Sequence, residues 1–119
     1  MKFLMLITRA ETYRAEAIPQ ALLEAMGEFV AEGFTSGVLK DTAGLKSTAE
    51  GLRVRSSGGK LTVTDGPFTE AKEVVGGYAL IEVPSKADAL ELARQFMDLH
   101  RVHWPAFDGE CDVRPVEDM

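Results

Sequence analysis

The chain has 119 residues, of which 45% are apolar and 27% charged, so it is long enough for one hydrophobic core and lacks the bias of a disordered or repetitive chain. Thirteen basic against nineteen acidic residues leave a formal charge of -6, which repels a phosphate backbone and argues against nucleic acid as a partner. A single cysteine, Cys111, excludes an internal disulfide, and the apolar run Met1 to Ile7 is far too short to cross a membrane. The expectation is a cytoplasmic protein with no membrane partner.

Phe3-Leu4-Met5-Leu6-Ile7 is a nearly continuous apolar run and reads as a central strand. Pro19 suits a first helical turn. Ile18, Leu22, Met26, Phe29 and Val30 then recur at helical spacing, with Gln20, Glu24, Glu28 and Glu32 on the other face, and the helix should end near Gly33. Gly37-Val38-Leu39 opens a short strand, and the stretch from Asp41 to Thr48 reads as a loop. From Leu52 the residues alternate as Leu52/Arg53/Val54/Arg55, turn at Ser57-Gly58-Gly59 and resume as Leu61/Thr62/Val63/Thr64, which is the pattern of a β-hairpin.

After a turn at Asp65-Gly66-Pro67, Lys72 and Glu73 read as a solvated helical turn. The segment Val74 to Val83 then forms a second central strand, ended by Pro84. Ser85 with Asp88 three residues later resembles a capping box, and Ala89, Leu92, Ala93, Phe96, Met97 and Leu99 give the apolar stripe of a second helix. Cys111 to Arg114 is the last strand. The order β-α-β, hairpin, β-α-β is that of a ferredoxin-like split βαβ with an inserted hairpin, in the α+β class and in a single domain over 1–119. Two helices cover one face of such a sheet. A second copy of the sheet would cover the other, giving a sheet-to-sheet homodimer, a dimeric α+β barrel.

Asp65-Gly66-Pro67-Phe68-Thr69-Glu70-Ala71-Lys72-Glu73, followed by Gly76-Gly77-Tyr78-Ala79-Leu80-Ile81-Glu82-Val83, resembles the DGPF motif region of the YCII-related proteins. The opening Met1 to Ile7, Ala25-Met26-Gly27 with Phe29, and Val113-Arg114-Pro115-Val116 extend that resemblance over nearly the whole chain. The resemblance implies a ferredoxin-like subunit that pairs through its sheets and has a cleft in each subunit. It also implies either a small enzyme acting on organic molecules or an accessory protein beside a sigma factor of the extracytoplasmic-function class. One branch of the family offers a His and an Asp as an acid/base pair. Asp65 corresponds to the Asp, whereas the first helical region holds Leu22, Leu23 and Met26 and no histidine, and Lys46 stands where many relatives carry a His.

The candidate residues follow from these patterns. Asp65 is placed either to cap its turn through backbone N–H groups or to serve as a general base in a cleft. A cleft of that kind would be lined by Asp65, Arg9 and one histidine, with His100 as a weaker catalytic candidate. Lys72 is a candidate for an anionic ligand. Tyr78 faces the same side as Leu80, which suits interface packing with a hydrogen-bonded hydroxyl better than acid catalysis. Phe68 should bury its ring beneath the turn.

His100 and His103 share a helical face, but two ligands without a third do not make a metal site, so no metal and no cofactor are expected. Trp104, Pro105 and Phe107 read as an apolar plug between helix and strand. No phosphate-cradling loop and no serine-hydrolase elbow are present. The function expected is binding of a small molecule by a homodimer, with cofactor-independent acid/base chemistry as the enzymatic form. The alternative is a non-catalytic regulatory accessory.

Overall fold

A computed structural model of the protein describes residues 1–10, 18–68 and 73–117. The chain runs β1 (Lys2–Ala10), α1 (Gln20–Ser36), β2 (Leu39–Gly44), a short 3-10 turn (Thr48–Glu50), β3 (Leu52–Ser57), β4 (Lys60–Asp65), β5 (Glu73–Glu82), α2 (Lys86–His103) and β6 (Gly109–Pro115). Four strands form one sheet in the order β2-β5-β1-β6, with every neighbouring pair antiparallel, while β3 and β4 form a separate two-stranded ladder. The α+β arrangement of two helices on an antiparallel sheet is compatible with a ferredoxin-like subunit.

Strand alternation decides the two faces of the sheet. Phe3 and Met5 on β1 and Ile81 on β5 point toward the helices and are almost fully buried, together with Ala89 and Ala93 of α2. The two alanines let α2 lie close to the sheet, and Leu22 of α1 is wholly enclosed. Phe29 and Phe96 meet at a centroid distance of 5.8 Å and tie the helices together. Leu4, Leu6, Tyr78 and Leu80 occupy the opposite face, paired as Leu4↔Leu80 and Leu6↔Tyr78, and remain only half-buried.

Several boundaries differ from those the sequence suggests. Pro19 is the N-cap of α1 rather than its first helical residue, and the helix continues through Gly33 to Ser36. It ends at Gly37, which takes the left-handed conformation with φ 81° and donates its N–H to the Phe34 carbonyl. The expected loop after Asp41 is instead the continuation of β2, because Thr42, Ala43 and Gly44 pair with Ala79, Tyr78 and Gly77. Thr42 adds a side-chain bond of 2.8 Å to the Tyr78 carbonyl. Glu73 belongs to β5 and not to a helical turn.

The start of α2 follows its sequence signature closely: Ser85 accepts from the Asp88 N–H at 3.2 Å and its hydroxyl donates to the Asp88 carboxylate at 2.7 Å. Among the described residues no helix is long and apolar enough to cross a membrane.

Candidate functional site

A cavity of about 490 Å³ lies between the sheet and the two helices. Its floor is the helix-facing side of β1 and β5, with Met5, Ile7 and Ala79, and its roof includes Met26 and Phe29 of α1 and Phe96 of α2. The volume is that of a site for a small organic molecule, and the wall is mainly apolar. Arg9, Glu32, Ser36, Thr42, Gln95 and His100 are among the polar residues of that lining.

His100 reaches the cavity because it continues the apolar stripe of α2. It follows Phe96 by four residues and Ala93 by seven, so it sits on the buried face one turn beyond them. Only 7% of its surface is exposed. Phe96 approaches its ring edge-on at 4.9 Å, and Phe107 packs against it at 4.7 Å. Nδ1 lies 3.0 Å from the Phe96 carbonyl oxygen. A carbonyl can only accept, so the proton of the neutral ring belongs on Nδ1, leaving Nε2 with a lone pair. Burial in this aromatic shell lowers the His100 pKa below its ordinary value, and the carbonyl bond opposes that shift without cancelling it. The imidazole is therefore neutral at pH 7, fit to accept a proton or a hydrogen bond and not to donate a proton as an acid.

Arg9 is brought to the cavity by an irregularity between two strands. The pairing Ile7↔Gly77 is followed by Thr8↔Val75, which leaves Gly76 as the extra residue of a bulge in β5. The Arg9 side chain lies directly over Gly76, and a β-carbon there would collide with its Nε. Glycine at position 76 thus serves the arginine's placement as well as the bend of the strand.

The other candidates fall elsewhere. Tyr78 borders the cavity through its strand, and its hydroxyl donates to Asp41 on β2 at 2.9 Å. That bond raises the Tyr78 pKa, with desolvation and the Asp41 charge acting in the same direction, so the phenol stays protonated. Lys72 lies outside the described residues. Asp65 is exposed at the end of β4, and it is absent from the cavity lining. Sequence reasoning placed Asp65, Arg9 and a histidine around one cleft, whereas the fold brings together Arg9 and His100 and leaves Asp65 on the hairpin.

The turn at Asp65 is also held differently from the expected cap. The Gly66 N–H donates to the Gly51 carbonyl at 2.9 Å, and the Phe68 N–H donates to the Thr48 hydroxyl at 3.2 Å. No bond from the Asp65 carboxylate to a backbone N–H occurs among the described residues. Phe68 is half-buried rather than enclosed, with the Arg53 guanidinium 4.1 Å above its ring.

Neither histidine joins a metal-ligand cluster. Among the described residues no three His, Cys, Asp or Glu side chains converge, and His100 is turned into the aromatic shell. Trp104 and Phe107 stack at 5.3 Å beside it, closing the end of α2 as an apolar plug. Cys111 is half-buried against the core, and desolvation, aided by the Asp112 charge, pushes its thiol up to about 11, which suits an inert packing residue.

What sequence reasoning missed was the role of His100 as part of the core. The signal was present in the 89/93/96/100 spacing, which places the imidazole on the apolar stripe, whereas the pairing with His103 three residues on drew attention to metal binding. The β5 bulge had a weaker signal in the adjacent Gly76 and Gly77.

An uncharacterized protein of Rhizobium meliloti (strain 1021) is 36% identical over 81 residues, which cover 68% of this chain and 61% of that protein. The chain thus matches less than two thirds of the relative's length. The family model for the YCII-related domain matches residues 1–97, and the chain belongs to that family.

Proposed function

We propose that this protein binds a small, mainly apolar organic molecule in the cavity between helices and sheet, and does so as a homodimer paired through the open faces of its sheets. The observation that carries the first part is the placement of a neutral imidazole in the wall of a mainly apolar chamber of about 490 Å³. A buried polar group has to be satisfied, and Nδ1 already is, which leaves Nε2 of His100 to orient a ligand donor. Arg9 adds a positive charge to the same lining and favours ligands with an acidic or carbonyl end. Asp65 has no part in this reading.

In its enzymatic form the reading makes His100 the general base, with Nε2 taking a proton from the bound molecule and no cofactor required. An open chamber, in place of a filled core, is what favours ligand binding over the accessory role of a regulatory partner. Pairing through the sheet is supported by the half-buried apolar strip Leu4, Leu6, Tyr78 and Leu80, which neither helix covers.

A thermal-shift screen against aromatic and aliphatic acids, followed by calorimetry, tests the binding. A ligand should stabilise the wild-type chain. Its effect should vanish in Val30→Phe, which fills the cavity, and weaken at least about tenfold in His100→Phe, which keeps a ring but loses the buried acceptor. An equal response in Val30→Phe would move the ligand out of the chamber and refute the proposal.

A further inference from the structure

The β3–β4 hairpin has its faces the wrong way round for a chain that stands alone. The register sets Val54 directly opposite Val63, with Leu52 and Leu61 on the same face, and Arg53, Arg55 and Lys60 on the other. The four apolar side chains are 58% to 74% exposed. On the cationic face Arg53 stacks over Phe68 of the same chain, while Arg55 and Lys60 are exposed. A surface hairpin normally buries its apolar face and shows water its charges.

Two global quantities point the same way. The chain exposes 8323 Å², against roughly 6,300 Å² for a monomer of 13.0 kDa, an excess of about 2,000 Å². Its radius of gyration is 15.9 Å, where about 13.5 Å is usual for this length. Two such excesses match the surface that a permanent homodimer removes from water.

Charge selects the partner. The hairpin, residues 52–65, carries three basic side chains and one acidic, Asp65, so it contributes +2 to a chain of -6 and the remainder stands at -8. The open sheet face bears Asp41, Glu82, Glu110 and Asp112 around its apolar strip, against Lys2, Arg114 and Lys40, whose Nζ lies 3.9 Å from the Glu82 carboxylate. A hairpin of net positive charge therefore meets, on a second copy, an apolar strip whose edge carries more acidic than basic groups.

We propose that the β3–β4 hairpin is an arm that packs Leu52, Val54, Leu61 and Val63 onto the open sheet face of a second copy of this chain. It shares with the sheet pairing above the premise that two copies associate, and it assigns the hairpin a contact that sheet pairing alone does not require.

Sedimentation equilibrium of the full chain from micromolar concentration upward decides the matter, comparing wild type with V54D/V63D and with L6D. Unfolding followed by circular dichroism serves as the control for folding. The hairpin variant should fold normally, because those side chains touch little within one chain, and should dissociate at least about 30-fold more readily than wild type. Amide exchange across residues 52–65 should also slow as wild-type concentration rises. Association of V54D/V63D as tight as wild type, with L6D alone weakened, would overturn the arm and keep the sheet pairing. A weakened hairpin variant beside an unaffected L6D would place the arm's contact away from the open sheet face and would overturn the proposal together with the sheet pairing. Wild type that stays monomeric throughout, or that binds anionic vesicles without self-association, would overturn the proposal.

Discussion

The helix-covered sheet and the hairpin obey opposite rules within one chain. On the sheet the helix-facing side of β1 is almost fully closed, with Phe3 at 1% and Met5 at 3% exposure, whereas Leu61 and Val63 on the hairpin stand 74% and 69% exposed. Both patterns are apolar residues at strand spacing. What separates them is the presence of a covering layer: α1 and α2 supply it for one face of the sheet, and nothing within the described residues supplies it for the hairpin. Alternation alone therefore identifies a strand without saying what it packs against.

The largest expected effect tests that contrast directly. Phe3→Ala empties a core site that the surrounding sheet and α2 cannot easily refill, and should lower stability by about 3–5 kcal/mol. Val63→Ala should cost less than about 0.5 kcal/mol when measured at concentrations where the chain is monomeric. Chemical denaturation of both variants gives the comparison. A large loss in monomeric Val63→Ala would show that the hairpin does have a covering layer within its own chain.

A second test concerns the polar group inside the covered region. His100→Ala removes a ring packed between Phe96 and Phe107 and should cost about 2–3 kcal/mol. The pH dependence separates the imidazole from its packing. In the unfolded chain the histidine takes up a proton near its ordinary pKa of about 6.5, whereas the buried ring does so only at lower pH. The unfolded state thus binds more protons between those two values, and stability falls as pH drops from about 6.5 through the folded pKa. His100→Phe should flatten that part of the curve. An unchanged slope would mean that the ring is not held neutral by burial.

The helix that carries His100 offers a smaller and more local test. Ser85 holds the first turn of α2 through the Asp88 N–H, so Ser85→Ala should cost about 1 kcal/mol, and Ser85→Asn should restore most of it. Thermal unfolding at fixed concentration reads both. Loss of similar size in the two variants would assign the effect to something other than the cap.

Legibility in the sequence followed how local each feature is. The capping box at Ser85, the alternation of the hairpin and the apolar stripes of both helices are set by residues within one turn or one strand, and the order of elements followed from them. The extension of β2 over Thr42 to Gly44 was not legible, because those residues have no strand pattern of their own and are held by pairing with β5. The cavity was harder still. It depends on Arg9 over a bulge at Gly76 and on His100 taking a place in an apolar stripe, and both are settled by contacts between residues far apart in the chain.

Asp65 is where these two kinds of information conflict most clearly, and it supplies the smallest expected effect. Its place before Gly66 and Pro67 suggests a cap, for which Asp65→Asn would be milder than Asp65→Ala, because asparagine keeps an acceptor oxygen. In the structure the turn is held by Gly51, Thr48, Gly66 and Phe68, while the carboxylate is exposed. Both substitutions should then fall within about 0.5 kcal/mol of wild type and of each other, as exposed positions away from caps and cores do. The ligand response of the cavity should also survive in both, since Asp65 does not line it. Denaturation curves for the two variants, with the ligand shift measured in each, settle the role of this carboxylate. An Ala variant clearly weaker than Asn would restore the cap, and loss of the ligand response in two stable variants would return Asp65 to the site.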